Sequence, residues 1–378
     1  MPQTVEAMHR ELEQQVGFLK DRKIRTIYFG GGTPSLLHPS EIERFIEHCR
    51  ALFDCSETEE ITVEVNPDDI TESYAEAIAA TSVNRVSMGV QSFDDSCLQF
   101  MGRRHSAEGA KRAIERLRRA GIGNISIDII FGVNGFGGKS LENTLQQAVA
   151  TGAEHISAYH LTIEPQTRFG RLLANGQLLQ VSEQTSEQEF LAVHQILTAA
   201  GYEHYEVSNF ARKGYRSRHN SSYWTGAEYL GIGPGAHSFN GATRRWCEQD
   251  VEQYIKRVEY GSETLTAQDA LNEYIMVSLR RVEGVLRVGV PYGSAPKKMN
   301  DWQGRQTRQG SQSRSISADS ASAAGPSRHA RTARPSASSD GWEACSSTTL
   351  KASAPLAAIR LCRRWKPRLR QSDKPSRG

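Results

Sequence analysis

The feature that most constrains this chain is an alternation between residues 25 and 161. Short β-rich runs are each followed by a polar or glycine turn and then by an amphipathic helical stretch. The runs are Thr26–Phe29, Ile61–Val65, Arg85–Val90, Ile125–Phe131 and Ile156–Leu161. Helical stretches fall near 40–52, 71–80, 94–121 (broken at Gly102) and 140–151, with Ser40 and Glu43 reading as a capping box for the first. Strands alternating with helices predict a parallel sheet.

The strands also have two unlike faces, because successive side chains point to opposite sides. Ile61/Val63/Val65, Val86/Met88/Val90 and Ile125/Ile127/Ile129 form apolar faces, opposed by Thr62/Glu64/Asn66, Arg85/Ser87/Gly89/Gln91 and Ser126/Asp128/Ile130. A closed eight-stranded barrel fills its interior with branched apolar side chains. Three successive strands with polar inner positions predict instead a wide, incomplete barrel whose interior holds a ligand. A third region, 183–285, opens with a helix at Glu183–Ala200. It continues through a strand-like Tyr205–Phe210 and a glycine-rich segment at Tyr229–Ser238 to a helix near Gln268–Leu279.

Charge divides the chain. From Leu286 onward, 18 basic residues face 5 acidic ones, a net charge of +13; the residues before it carry −10, giving +3 overall. The basic segment is rich in Ser, Ala, Arg and Pro and has little apolar area to offset the entropy of ordering, so 286–378 is expected to be a disordered tail. Polyanion binding by this tail is a further function class. It lacks regularly interleaved aromatics, and no specific nucleic-acid partner is expected. No transmembrane segment is present in the sequence and no signal peptide is evident, so a cytoplasmic protein is expected. The six cysteines, Cys49, Cys55, Cys97, Cys247, Cys345 and Cys362, form neither a CxxC pair nor a C-x3-C-x2-C triplet and read as reduced packing or surface thiols.

Several motifs carry chemistry. Tyr28-Phe29-Gly30-Gly31-Gly32-Thr33-Pro34-Ser35 places three glycines after a strand, where backbone N–H groups can approach a ligand closely. Glu64 is a lone carboxylate in an apolar strand. Its burial costs several kcal/mol unless it is paired, so it needs a ligand amine or hydroxyl, or a structural Lys or Arg. Gly89-Val90-Gln91-Ser92-Phe93, Met101-Gly102-Arg103-Arg104-His105 and the inner-face Asp128 suit contacts to ribose hydroxyls or a carboxylate, or local hydrogen bonds. The Phe131–Ser140 loop imitates a P-loop, but Val133 stands where the first glycine of a Walker A loop is required.

Together these motifs resemble the S-adenosylmethionine (SAM) site of radical SAM proteins in the oxygen-independent coproporphyrinogen III oxidase-like family. The resemblance implies a partial (β/α)6 TIM-like barrel and SAM contacts from Gly31, Gly32, Thr33, Glu64, Gln91, Arg103 and Asp128. Farther on, His219-Asn220-Ser221-Ser222-Tyr223-Trp224 resembles the HNxxYW signature of the haem-chaperone branch. That branch implies haem and SAM as ligands, haem-requiring apoproteins such as respiratory enzymes as partners, and His219, Asn220, Tyr223 and Trp224 as candidate haem contacts. Read as residues alone, His219 fits a loop cap, and Tyr223 and Trp224 fit core anchors, equally well. The family's [4Fe–4S] cluster needs a C-x3-C-x2-C loop, which this sequence lacks, so no metal ligand is assigned. The barrel is therefore expected without its first strand.

The likeness ends near Val285, and the residues beyond it have the look of a shifted reading frame. The expected organisation is a partial barrel over 1–182, an incomplete extension over 183–285 and the tail over 286–378. The expected function is haem chaperoning. The alternatives are oxygen-independent coproporphyrinogen III dehydrogenation, which is the family's enzymatic label, and a degenerate fragment without function.

Overall fold

The computed structural model describes residues 2–247 and 250–285, together with the backbone of 358–360. The expected tail, 286–378, otherwise lies outside the described residues. Helix α1 (Pro2–Gln15) precedes strand β1 (Thr26–Gly30). Then come α2 (Pro39–Leu52), β2 (Glu60–Val65), α3 (Glu72–Ala79), β3 (Arg85–Gln91), α4 (Asp95–Phe100), α5 (Ala107–Arg119), β4 (Ile125–Phe131), α6 (Lys139–Ala150) and β5 (His155–His160). Helices α7 (Arg168–Ala174) and α8 (Glu183–Ala199) lead to β6 (Glu203–Glu206), β7 (Asn209–Ala211) and α9 (Arg218–Trp224). The remainder comprises β8 (Gly231–Ile232), β9 (His237–Phe239), β10 (Thr243–Cys247), α10 (Val251–Lys256), β11 (Tyr260–Thr264), α11 (Ala267–Ser278) and β12 (Ala358–Arg360).

Strands β1 to β5 lie side by side in chain order and pair in parallel. This is the sheet expected from the strand–helix alternation, with one helical crossover or more per step. Strands β6 and β7 extend it antiparallel beyond β5. On the other side β1 pairs with the backbone of β12, which pairs with β8, both antiparallel. Strands β9, β10 and β11 form a separate antiparallel sheet. The Arg244 guanidinium is buried there against Glu263 at 3.2 Å and Glu273 at 2.9 Å.

The two strand faces divide as the alternation requires. Val63, Val86 and Ile127 are fully buried and share one apolar core with Phe45 of α2, Ile78 of α3 and Leu117 of α5. Removing such a side chain, as in Ile127→Ala, costs about 2–5 kcal/mol. The opposite face carries Thr62, Glu64, Ser87, Ser126 and Asp128, and Gln91 follows a register shift at the end of β3.

Three local readings need correction. The cap of α2 is His38, whose ring accepts the Ser40 N–H, and not Ser40. Pro39 sets the first helical φ one residue earlier, and Glu43 binds the Ser82 N–H at 2.6 Å instead of closing a capping box. Tyr205–Phe210 is not one strand but a tight hairpin, β6–β7, which turns at Val207-Ser208. The periodicity reading also starts too late. Helix α1 forms before residue 25 and buries Met8 and Leu12 in the main core.

Candidate functional site

The C-terminal ends of β1 to β4 bring most of the candidate residues to one side of the sheet. Gly31 and Gly32 adopt φ of 71° and 83°, the left-handed region where glycine carries no penalty. Glu64, penultimate in β2, accepts the Gly31 N–H at 3.0 Å through one oxygen and the Tyr28 hydroxyl at 2.6 Å through the other. The half-buried carboxylate therefore counts a tyrosine hydroxyl and a backbone amide among its partners. Gly30 makes this possible: a Cβ there would overlap the Tyr28 ring and stand 2.9 Å from the Glu64 carboxyl carbon. Thr33 starts a short 3-10 turn at Pro34–Leu36 with its side chain free of any capping bond.

Gln91 ends β3 with φ of 71°, the one non-glycine residue at positive φ among the described residues. Such a conformation costs about 1–2 kcal/mol and tends to persist at functional sites. Gly89 leaves room for it, since a Cβ there would sit 2.9 Å from Gln91 Nε2. The His105 ring holds the preceding carbonyl, bonding Val90 O at 2.9 Å. Arg103 follows Gly102, whose φ of 71° closes α4, and its N–H bonds Leu98 O at 2.9 Å. Burial pulls the Arg103 pKa down, and the charge of Asp128 opposes that shift. Two buried polar atoms in this region have no hydrogen-bond partner: Gln91 Oε1 and Arg103 Nε. Buried polar atoms are nearly always paired, which makes these two candidate ligand contacts, among other such atoms elsewhere in the fold, Arg85 Nε for one.

The opposite, N-terminal end of the strands is closed by α9, which carries the HNxxYW string. Glu60, first in β2, accepts the N–H groups of Arg218 at 2.8 Å and His219 at 3.0 Å, and the Ser217 hydroxyl at 3.3 Å. A carboxylate at a helix N-terminus satisfies its unpaired donors and faces the positive end of the dipole. Arg85, first in β3 and 2% exposed, lies 3.9 Å from Glu60. His155, first in β5, bonds Ser126 Oγ at 2.7 Å and the Tyr205 hydroxyl at 2.8 Å, and the same hydroxyl oxygen accepts the Ser217 N–H. Burial holds the His155 pKa well below its usual value, and the Arg85 charge adds to the shift.

His219 is buried. Its Nδ1 bonds Thr26 Oγ1 and its Nε2 bonds the Tyr223 hydroxyl oxygen, both at 2.8 Å. Its ring stacks on Tyr28, with centroids 4.6 Å apart and 13° between planes. Asn220, Tyr223 and Trp224 are half-buried. Tyr223 meets Tyr229 edge-on at 5.5 Å, and Arg280 lies over the Trp224 ring at 4.7 Å. The string and the glycine-loop residues thus occupy opposite ends of the strands, with Tyr28 touching both groups. Sequence reasoning missed Tyr28, Glu60, Arg85, His155 and Tyr205. The inner-face positions of Tyr28 and Arg85 were the available signal.

Among the described residues the donors for an iron–sulfur cluster do not fit. Cys49, Cys97 and Cys247 are buried thiols and Cys55 is a half-buried one. Burial pushes the Cys97 thiol up to about 11. Among the described residues no group of three or more His, Cys, Asp or Glu side chains could hold a metal ion. The Phe131–Ser140 loop is not a phosphate cradle either: the Gly132 N–H bonds Glu189 at 2.7 Å.

The fold is that of a radical SAM domain, and residues 4–148 match the Radical SAM superfamily. The chain is 34% identical over 286 residues to the heme chaperone HemW of Bacillus subtilis (strain 168), covering 74% of this chain and 76% of that protein. It is 33% identical over 288 residues to the heme chaperone HemW of Lactococcus lactis subsp. lactis (strain IL1403), covering 75% and 76%. The chain belongs to the HemW family. Its fold is similar to that of the radical SAM enzyme coproporphyrinogen III oxidase (HemN) from Escherichia coli, with a TM-score of 0.61, 22% identity, and 74% and 68% of the two chains covered. Radical SAM proteins as a class use SAM and a [4Fe–4S] cluster. No helix among the described residues is long and apolar enough to cross a membrane.

Proposed function

We propose that this chain is a SAM-binding haem chaperone of the HemW type, which takes SAM at the C-terminal ends of β1 to β4 and delivers haem to haem-requiring apoproteins such as respiratory enzymes. The observation that supports the SAM assignment is the pair of unpartnered buried atoms, Gln91 Oε1 at the end of β3 and Arg103 Nε after α4, taken together with the Glu64–Gly31 bond at the end of β1 and β2. Glu64 and the Gly31–Thr33 loop receive the amino group of SAM. Arg103 offers its guanidinium to the carboxylate, and Gln91 and Asp128 take ribose hydroxyls. When bound, SAM supplies a sulfonium-linked adenosyl group. The thiols present do not fit the cluster that would act on it, so no step through a cluster is assigned to this chain.

Haem uptake at the HNxxYW string would use the half-buried Asn220, Tyr223 and Trp224, whose aromatic faces suit a flat macrocycle. The haem-chaperone reading rests on membership of the HemW family together with this string. Equilibrium dialysis with labelled SAM tests the pocket: Glu64→Ala and Arg103→Met are each expected to weaken binding about tenfold or more, the size of one charge-assisted hydrogen bond. A wild-type chain that retains no SAM would refute the pocket. Haem titration followed by the Soret band, and haem transfer to an apoprotein, test the chaperone reading. Coproporphyrinogen turnover without haem transfer would instead favour the dehydrogenase.

A further inference from the structure

We infer that His219 is a positioning residue for the SAM pocket, acting through the Tyr28 ring on Glu64, and is not an iron ligand. The inference rests on the SAM reading of that pocket. Thr26, Tyr28 and Gly30 alternate along β1 and so share one face. His219 grips this face twice, by its hydrogen bond to Thr26 and by its stack on Tyr28. The imidazole is held from behind by the Tyr223 hydroxyl, and its backbone N–H is fixed by Glu60. Both ring nitrogens are thereby engaged, and iron ligation would break one of two buried hydrogen bonds.

The Tyr28 ring is pinned on one side by this stack, and its hydroxyl donates to Glu64 Oε1 at 2.6 Å. The other Glu64 oxygen accepts the Gly31 N–H, so the tilt of the Tyr28 ring sets both the carboxylate and the glycine loop. The missing Cβ at Gly30 lets ring and carboxylate share this space. His219 thus links the helix at one end of the strands to the ligand-facing carboxylate at the other.

The test compares two ligands on the full chain. SAM has an amino-acid arm; 5′-methylthioadenosine keeps the adenosine and lacks that arm. Tyr28→Phe, which removes only the hydroxyl, is expected to weaken SAM binding about tenfold and to leave methylthioadenosine within about twofold. His219→Ala is expected to move SAM affinity the same way by about three- to tenfold, with partial recovery in His219→Gln, whose amide can still bond Thr26 or Tyr223. Equal loss of both ligands in His219→Ala would overturn the inference, since a loosened core does not select for the amino-acid arm. A Soret spectrum that loses histidine ligation in His219→Ala would overturn it as well. Wild-type affinity for SAM in both Tyr28→Phe and His219→Ala would sink this inference alone, whereas a wild-type chain that binds neither ligand sinks the pocket reading and the inference with it.

Discussion

The Glu60 carboxylate accepts the backbone N–H of His219 at 3.0 Å across 159 positions of sequence. That bond seats α9 in the N-terminal end of the strands. Because Arg85 and the Arg218 and Ser217 donors converge on the same buried group, its removal leaves a buried cation and several donors without partners. Glu60→Ala is expected to destabilise the chain by about 3–5 kcal/mol, the cost of breaking a buried ion pair from one side. A urea titration measures it; a loss under about 1 kcal/mol would mean that water replaces the carboxylate and that α9 is not anchored there.

Gly30 is expected to tolerate no side chain. In Gly30→Ala the new methyl overlaps the Tyr28 ring, so either the ring tilts or Glu64 moves. Overpacking of this kind costs about 1–3 kcal/mol. SAM affinity should fall along with the unfolding midpoint, and an unchanged affinity in dialysis would show that the Tyr28–Glu64 geometry is not needed.

Gln91 separates stability from binding. Its φ of 71° suits glycine, so the relief of backbone strain in Gln91→Gly roughly offsets the added chain entropy, and stability should stay within about 1 kcal/mol of wild type. SAM binding should nonetheless weaken, because the unpartnered Oε1 is gone. Gln91→Val, β-branched at positive φ, should lose about 2 kcal/mol or more. If Gln91→Gly bound SAM as wild type does, the side chain would not be a ligand contact.

Stability should fall as the medium is acidified below about pH 6.5. Burial lowers the pKa of His155 well below its usual value and also lowers those of His9, His105 and His204. Below the unfolded-state pKa the unfolded chain binds these protons and the folded chain does not, so the folded state loses ground as pH drops. Above it neither state is protonated, and the contribution is flat. For the fully buried His155 the slope approaches about 1.4 kcal/mol per pH unit, the effect of one proton, and the other three act in the same direction. His155→Gln should reduce the slope of unfolding free energy against pH by one proton; an unchanged slope would mean that His155 is protonated when folded.

Much of this protein is legible in its sequence, and the reason is local. Strand β4 falls at the bounds the sequence gives, Ile125–Phe131, because its seven residues form one β-rich apolar run, buried throughout except at Asp128. The glycine loop, the lone Glu64 and Gln91 identify themselves for the same reason: each breaks its own strand's pattern. The HNxxYW string is equally plain as a string. Its placement is not, and neither is the α2 cap, where Pro39 and Ser82 compete for roles that Ser40 and Glu43 suggest in isolation.

The sequence by itself determined the order and type of the elements from β1 to β5 and the two-faced character of those strands, since these follow from side-chain periods of 2.0 and 3.6. Only the tertiary structure decided which partners the buried polar groups find. That Glu64 is met by Tyr28, that Glu60 caps a helix starting at Arg218, and that His219 Nδ1 bonds Thr26 are long-range pairings. Hydrogen-bond partners across such distances leave no periodic trace along the chain, because what selects them is the cost of burying a polar group unpaired.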